Sequence, residues 1–93
     1  MGIYVDECRW SFRDRLWCHM VSDVSLIELH EFAALLEISE RGFHRDHYDL
    51  PHEYRVQAIA LGAVETTSRE LLRRMRQAGL RVRKSTSSFG PIG

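Results

Sequence analysis

Three residues able to ligate a metal fall within six positions of this chain, as His44-x-x-His47-x-Asp49. Imidazole nitrogen and carboxylate oxygen suit a divalent cation such as Zn or Mn, and an ion held that way activates water or polarises a phosphoryl oxygen. Asp6, His19, Ser22, Asp23, His30 and Tyr48 are the further polar residues expected to converge with His47 and Asp49 on one site. The ligand expected there is a metal or a phosphate-bearing molecule. If the site is catalytic, the chemistry is hydrolysis: a carboxylate and a histidine hold the ion, and a second histidine, with an ordinary pKa of about 6.5, moves the proton. Taken one at a time, each of these residues has a plainer role in capping a helix or satisfying a carbonyl.

Two basic stretches point to a different class of function. In Arg9-Trp10-Ser11-Phe12-Arg13-Asp14-Arg15-Leu16-Trp17, cations and aromatics alternate. Aromatic faces stack on bases and guanidinium groups clamp phosphates, so the pattern suits a nucleotide or a single strand. Its structural alternative is a loop pinned to the core by two tryptophans. Further on, Arg69, Arg73 and Arg76 are spaced four and three residues apart, and Arg81, Arg83 and Lys84 follow. Such a stripe fits a phosphate backbone, or else pairs with acidic groups of the same chain. The competing function is therefore a non-enzymatic accessory module that binds nucleic acid or protein through these arginines and the tryptophan loop.

Other chemistries lack their residues. There is no nucleophile elbow, Walker loop, dinucleotide fingerprint or HExxH. Ser22, His19 and Asp23 make a poor triad, because neighbours on a strand or turn point in different directions.

The elements that must position these groups follow from periodicity. Ile3-Tyr4-Val5 reads as a buried strand that delivers Asp6 at its C-terminal end, where open α/β sheets tend to place ligands. Residues 7–15 show no period and read as an irregular loop. Leu16 to Val21 reads as a second strand, with Trp17 and His19 on one face and Leu16, Cys18 and Met20 on the other. Ser25 and Glu28 form a capping box, and Leu26, Leu29, Ala33 and Leu36 line one face of a helix over residues 26–37, with His30 on its flank. A short helical turn is expected at Ser39 to Phe43. The segment from His44 to Asp49 is too polar for a core and reads as a loop or edge strand. Pro51 opens a second helix that stops at Gly62, Ala63 to Thr66 forms a strand, and Thr67 with Glu70 caps a third helix that ends before Gly79. Leu80 to Arg83 is a last strand, and residues 85–93 are a polar, glycine-rich tail.

These elements make one α/β domain over residues 1–84: a short, partly parallel sheet flanked by about three helices. Ninety-three residues are too few for two cores. The net charge is zero, but residues 1–68 hold six basic and twelve acidic groups against seven and one in residues 69–93. That asymmetry predicts either an anionic partner for the C-terminal part or attraction between the two parts. Cys8 and Cys18 lack CxxC spacing and are expected as thiols. No apolar run approaches the roughly 18 residues of a membrane span, and residues 1–6 lack a signal-peptide start. Asp6 stands where a myristoylation motif needs Ser or Thr. A cytoplasmic protein without membrane attachment is expected.

Five ordered blocks carry a resemblance: Ile3-Tyr4-Val5-Asp6; Trp17-x-His19 followed by Ser22-Asp23; Glu28-Leu29-His30 with Phe32-Ala33; His47-Tyr48-Asp49-Leu50; and Leu61-Gly62-Ala63. Across most of residues 3–80 the chain resembles an uncharacterised family, domain of unknown function 4031, found in bacteria and their phages. Glu37 departs from the pattern, standing where a glycine would be expected to end the first helix. The resemblance implies that these blocks belong together and carries no activity with it.

Overall fold

Alternation along residues 16–21 gives the longest strand two unlike faces, and the rest of the molecule is arranged around that difference. The computed structural model describes residues 2–81. Its elements are β1 (Ile3–Val5), β2 (Trp10–Phe12), β3 (Arg15–Ser22), α1 (Leu26–Leu35), a 3-10 turn (Glu40–Gly42), β4 (Phe43–His44), β5 (His47–Pro51), α2 (His52–Ala60), β6 (Val64–Glu65) and α3 (Ser68–Ala78). The sheet order is β4-β5-β3-β1-β6, with β2 also paired to β3. Among the described residues only β1 and β6 pair in parallel, and the remaining neighbours are antiparallel. The expected α/β class holds, as a mixed sheet with three helices.

One sheet face carries the main core. Ile3, Val5, Cys18, Met20, Tyr48 and Leu50 point into it and meet Leu29, Phe32, Ala33 and Leu36 of α1 and Ala58 of α2. The other face is covered over a smaller area, where Val21 packs against Leu71 and Met75 of α3, with Tyr4 and Leu72 alongside. Arg74 fastens α3 there. Its guanidinium lies 4.6 Å from the Tyr4 ring centroid and donates to the Tyr4 hydroxyl at 2.9 Å.

The helix limits follow from local chemistry. Ser25 and Thr67 cap α1 and α3, each accepting from the N–H three residues on. All three helices end in the same motif, with crossed hydrogen bonds back to the last turn and a residue of positive φ. Gly62 and Gly79 supply that residue in α2 and α3. In α1 it is Glu37, at φ 59°.

Three expectations are corrected. Residues 7–15 are not an irregular loop: they contain β2, which turns into β3 through Arg13 and Asp14, both at positive φ. The His44 to Asp49 segment is a loop or edge strand only in its first half: His44 ends the edge strand β4 and Arg45 and Asp46 form a turn, but β5 from His47 on lies inside the sheet between β3 and β4 and buries Tyr48 and Leu50. Leu80 and Arg81 are not in a strand. The expected tail, with Arg83 and Lys84, lies outside the described residues. Among the described residues, no helix is long and apolar enough to cross a membrane.

Candidate metal centre

Strand pairing brings the chemistry-bearing residues into register. His19 of β3 stands directly opposite Asp49 of β5. On its other side the Asp6 N–H donates to the His19 carbonyl at 3.2 Å, just past the end of β1. Asp6, His19 and Asp49 therefore form a row across three strands. His47, two residues before Asp49, shares their face by the two-residue period of a strand. This is the face that α3 covers only in part.

Both histidines are held by carboxylates. The His19 ring donates from Nδ1 to Asp6 Oδ2 at 2.8 Å, and its backbone N–H donates to Asp6 Oδ1 at 2.6 Å. A carboxylate only accepts, so Nδ1 carries the hydrogen and the remaining lone pair is on Nε2. The His47 Nδ1 lies 2.8 Å from Asp46 Oδ1, and its Nε2 lies 3.3 Å from Asp49 Oδ1. The Asp6 and Asp46 side chains are each 1% exposed. His19, His47 and Asp49 each offer one ligand atom, all within 4.8 Å of one another.

The electrostatics follow from these contacts. Burial alone would raise the Asp6 pKa, but hydrogen bonds from the His19 ring, the His19 N–H and the Ser68 hydroxyl outweigh it and hold the carboxyl below its usual range. Burial likewise opposes charge on His47, yet hydrogen bonds to Asp49 and Asp46 keep its pKa above the ordinary histidine value. Hydrogen bonding to His47 lowers that of Asp49.

Beside this cluster, a cleft of about 210 Å³ opens between sheet and helix. Asp6, His19 and His47 line one side, and Ser68, Leu72 and Met75 of α3 the other, with Arg81 beyond the helix end. The Ser68 hydroxyl donates to Asp6 Oδ2 at 2.7 Å rather than to a histidine, so no serine nucleophile is assembled. Arg81 reaches Asp46 Oδ2 at 3.3 Å, and Arg55 Nε donates to the Asp6 carbonyl at 2.8 Å.

Of the residues proposed from sequence, Asp6, His19, His47 and Asp49 come together. His44 is exposed at the end of β4, opposite His47 with ring centroids 5.7 Å apart, and His19 stands among the grouped ligand atoms in its place. His30 and Tyr48 meet away from the cluster, His30 Nδ1 lying 2.7 Å from the Tyr48 hydroxyl. Ser22 bonds Glu28 at 2.6 Å, and Asp23 lies 3.5 Å from Arg74, so both hold the start of α1 and the seat of α3. Among the basic residues, Arg9 pairs with Glu7, Arg15 with Glu53 and Arg73 with Glu70. Arg13 lies over the Phe12 ring, and Arg69 and Arg76 are exposed on α3. Trp10 reaches the cluster, its ring centroid 4.6 Å from that of His19.

Sequence reasoning missed Asp46, Ser68 and Arg55. Asp46 had a signal in its adjacency to His47. Ser68 and Arg55 had none, because they reach Asp6 from 62 and 49 residues away.

No curated protein and no solved structure matches the chain. One family model does, over residues 3–78, a span that takes in every strand and helix of the fold and all the ligand atoms described above. The chain thus belongs to the family described as Protein of unknown function (DUF4031).

Proposed function

We propose that His19, His47 and Asp49 bind one divalent cation, such as Zn or Mn, and that the domain uses it to hydrolyse a phosphate-bearing substrate. The observation that carries this reading is the anchoring of both imidazoles at Nδ1 by buried carboxylates beside a third, ligating carboxylate. Histidines that bind metal commonly have their second nitrogen fixed in this way, which sets the tautomer and the ring orientation. Two histidines and one carboxylate with an open side make a recognised arrangement for a reactive divalent ion.

Charge supports the same reading. Asp6, Asp46 and Asp49 bring three carboxylates to the two histidines, a donor set of the kind that a divalent cation takes. His47 Nε2 lies 3.3 Å from Asp49 Oδ1, and the cation would sit between these two ligand atoms. Asp49 is 42% exposed and His19 37%, so coordination positions remain open for water and a phosphoryl oxygen. The ion supplies Lewis acidity and an activated water, while Arg81 lies where it can meet a phosphate oxygen.

Elemental analysis of protein purified without chelators tests the reading, together with thermal shift against Zn, Mn and Mg. Near-stoichiometric metal and a stabilisation that disappears in Asp49→Ala and His19→Ala are expected. Folded variants that keep the full metal content and the full shift would overturn it.

A further inference from the structure

The sheet face that carries the metal-site residues continues beyond them and is aromatic. Trp10 pairs with Trp17 across β2 and β3, and Phe12 pairs with Arg15, which places Trp10, Phe12, Arg15 and Trp17 on the same face as His19. The helix α3 packs over Val21 and Tyr4 at one end of this face. At the other end Trp10 and Trp17 are half-buried and Phe12 is 55% exposed. Trp17 is tied to the hairpin, its indole Nε1 donating to the Phe12 carbonyl at 2.9 Å, and Trp10 lies against the His19 ring at 4.6 Å.

We infer that this strip is the seat of a single-stranded nucleic acid, whose bases stack on Trp10, Trp17 and Phe12 while its backbone runs past His19, His47 and Asp49. The inference rests on the reading of that cluster as a metal centre and names its substrate class, a phosphodiester in an unpaired strand. Rigid aromatic faces beside arginines are what such strands use, since every base has a face to stack and every link a phosphate to neutralise. Length favours a strand over one nucleotide: from His19 to Arg15, opposite Phe12, the strip runs about 14 Å at roughly 3.4 Å per residue. A single base on Trp10 would leave Phe12 uncovered. Guanidinium groups are at hand, with Arg13 over the Phe12 ring at the tip and Arg15 opposite Phe12 across the hairpin. The pairs that Arg9 and Arg15 make with Glu7 and Glu53 are exposed and long, at 3.6 and 3.4 Å, and such pairs yield readily to a phosphate.

The test is a titration of the full chain with a twelve-residue oligothymidylate, read by tryptophan fluorescence in EDTA and again with Mn. A duplex of equal length serves as the comparison. Saturable quenching by the single strand is expected in EDTA, weakened by salt and weakened about tenfold by Phe12→Ala. Mn is expected to tighten it. Because the EDTA arm needs no ion, and metal content is measured separately, an absent metal with strong quenching would sink the metal reading alone. Quenching equal for single strand and duplex, quenching untouched by Phe12→Ala, or no quenching at all would overturn the strand proposal. So would a dimer that accounts for burial of Phe12 without any oligonucleotide.

Discussion

Asp6 and His19 face each other across β1 and β3 and share two hydrogen bonds, one from the His19 N–H to Oδ1 and one from the ring Nδ1 to Oδ2, at 2.6 and 2.8 Å. The pair couples the backbone register to the imidazole tautomer, so an error in either disturbs both. In Asp6→Asn the carboxamide can still accept from the backbone N–H, but its amino group then faces Nδ1 and drives the ring hydrogen to Nε2. The expected result is a fall in Zn affinity of roughly 10- to 100-fold with the far-UV circular dichroism unchanged. Competition with a Zn-binding dye measures the first, and long-range nitrogen spectra of His19 report the tautomer. Wild-type affinity in a folded Asn variant would show that Asp6 does not orient the ring.

Stability of the metal-free protein should depend on pH from two sides. The Asp6 carboxyl is held below its ordinary value, so its contribution is present above the usual carboxylate range and is lost as the pH falls through its lowered pKa. The His47 pKa is raised, so its contribution is full below the ordinary histidine value and is lost as the pH climbs through the raised one. Urea midpoints in a chelator, taken from acid to mildly alkaline pH, should trace both limbs. His47→Gln should flatten the alkaline limb and leave the Asp6 part of the acid limb in place, while the part owed to Asp49, whose pKa His47 lowers, goes with it.

Ser22 organises the start of α1. Its hydroxyl donates to Glu28 Oε1 at 2.6 Å and accepts from the N–H groups of Val24 and Ser25 at 2.9 and 3.1 Å. Ser22→Ala strands these partners and should cost roughly 1–3 kcal/mol by urea denaturation. Zn affinity should stay at the wild-type value. A variant that loses metal while keeping its stability would place Ser22 in the site after all.

Glu37 closes α1 at φ 59°, a conformation in which a β-carbon costs about 1 kcal/mol and glycine costs little. The Glu37→Gly variant should gain about that much, raising Tm by roughly 4–8 °C for a domain of this size. Glu37→Ala, which keeps the β-carbon, should show little gain. Equal gains in both variants would point to loss of the charge as the cause.

The sequence by itself determined the elements whose signals are local. Capping at Ser25 and Thr67, the helix stops at Gly62 and Gly79, and the alternation of residues 16–21 needed nothing beyond their neighbours, because each is settled by hydrogen bonds or side-chain directions within a few residues. The same alternation already put His19 and Trp17 on one face. The missed hairpins also have a local reason: the turns at Arg13-Asp14 and at Arg45 take positive φ without a glycine to announce it.

Only the tertiary structure decided which of many histidines and aspartates meet. His44, His47 and Asp49 are close in sequence, yet His19 joins His47 and Asp49 because the β3–β5 register sets it opposite Asp49. His30 and Tyr48, polar enough for a site, lie on the core side because a strand sends successive residues to opposite faces and α1 packs against that one. The same register converts a run of cations and aromatics near the N-terminus into an open face beside the cluster. A shift of one residue in that pairing would have exchanged the two faces, and nothing in the local sequence fixes it. The long-range packing of α1, α2 and α3 does.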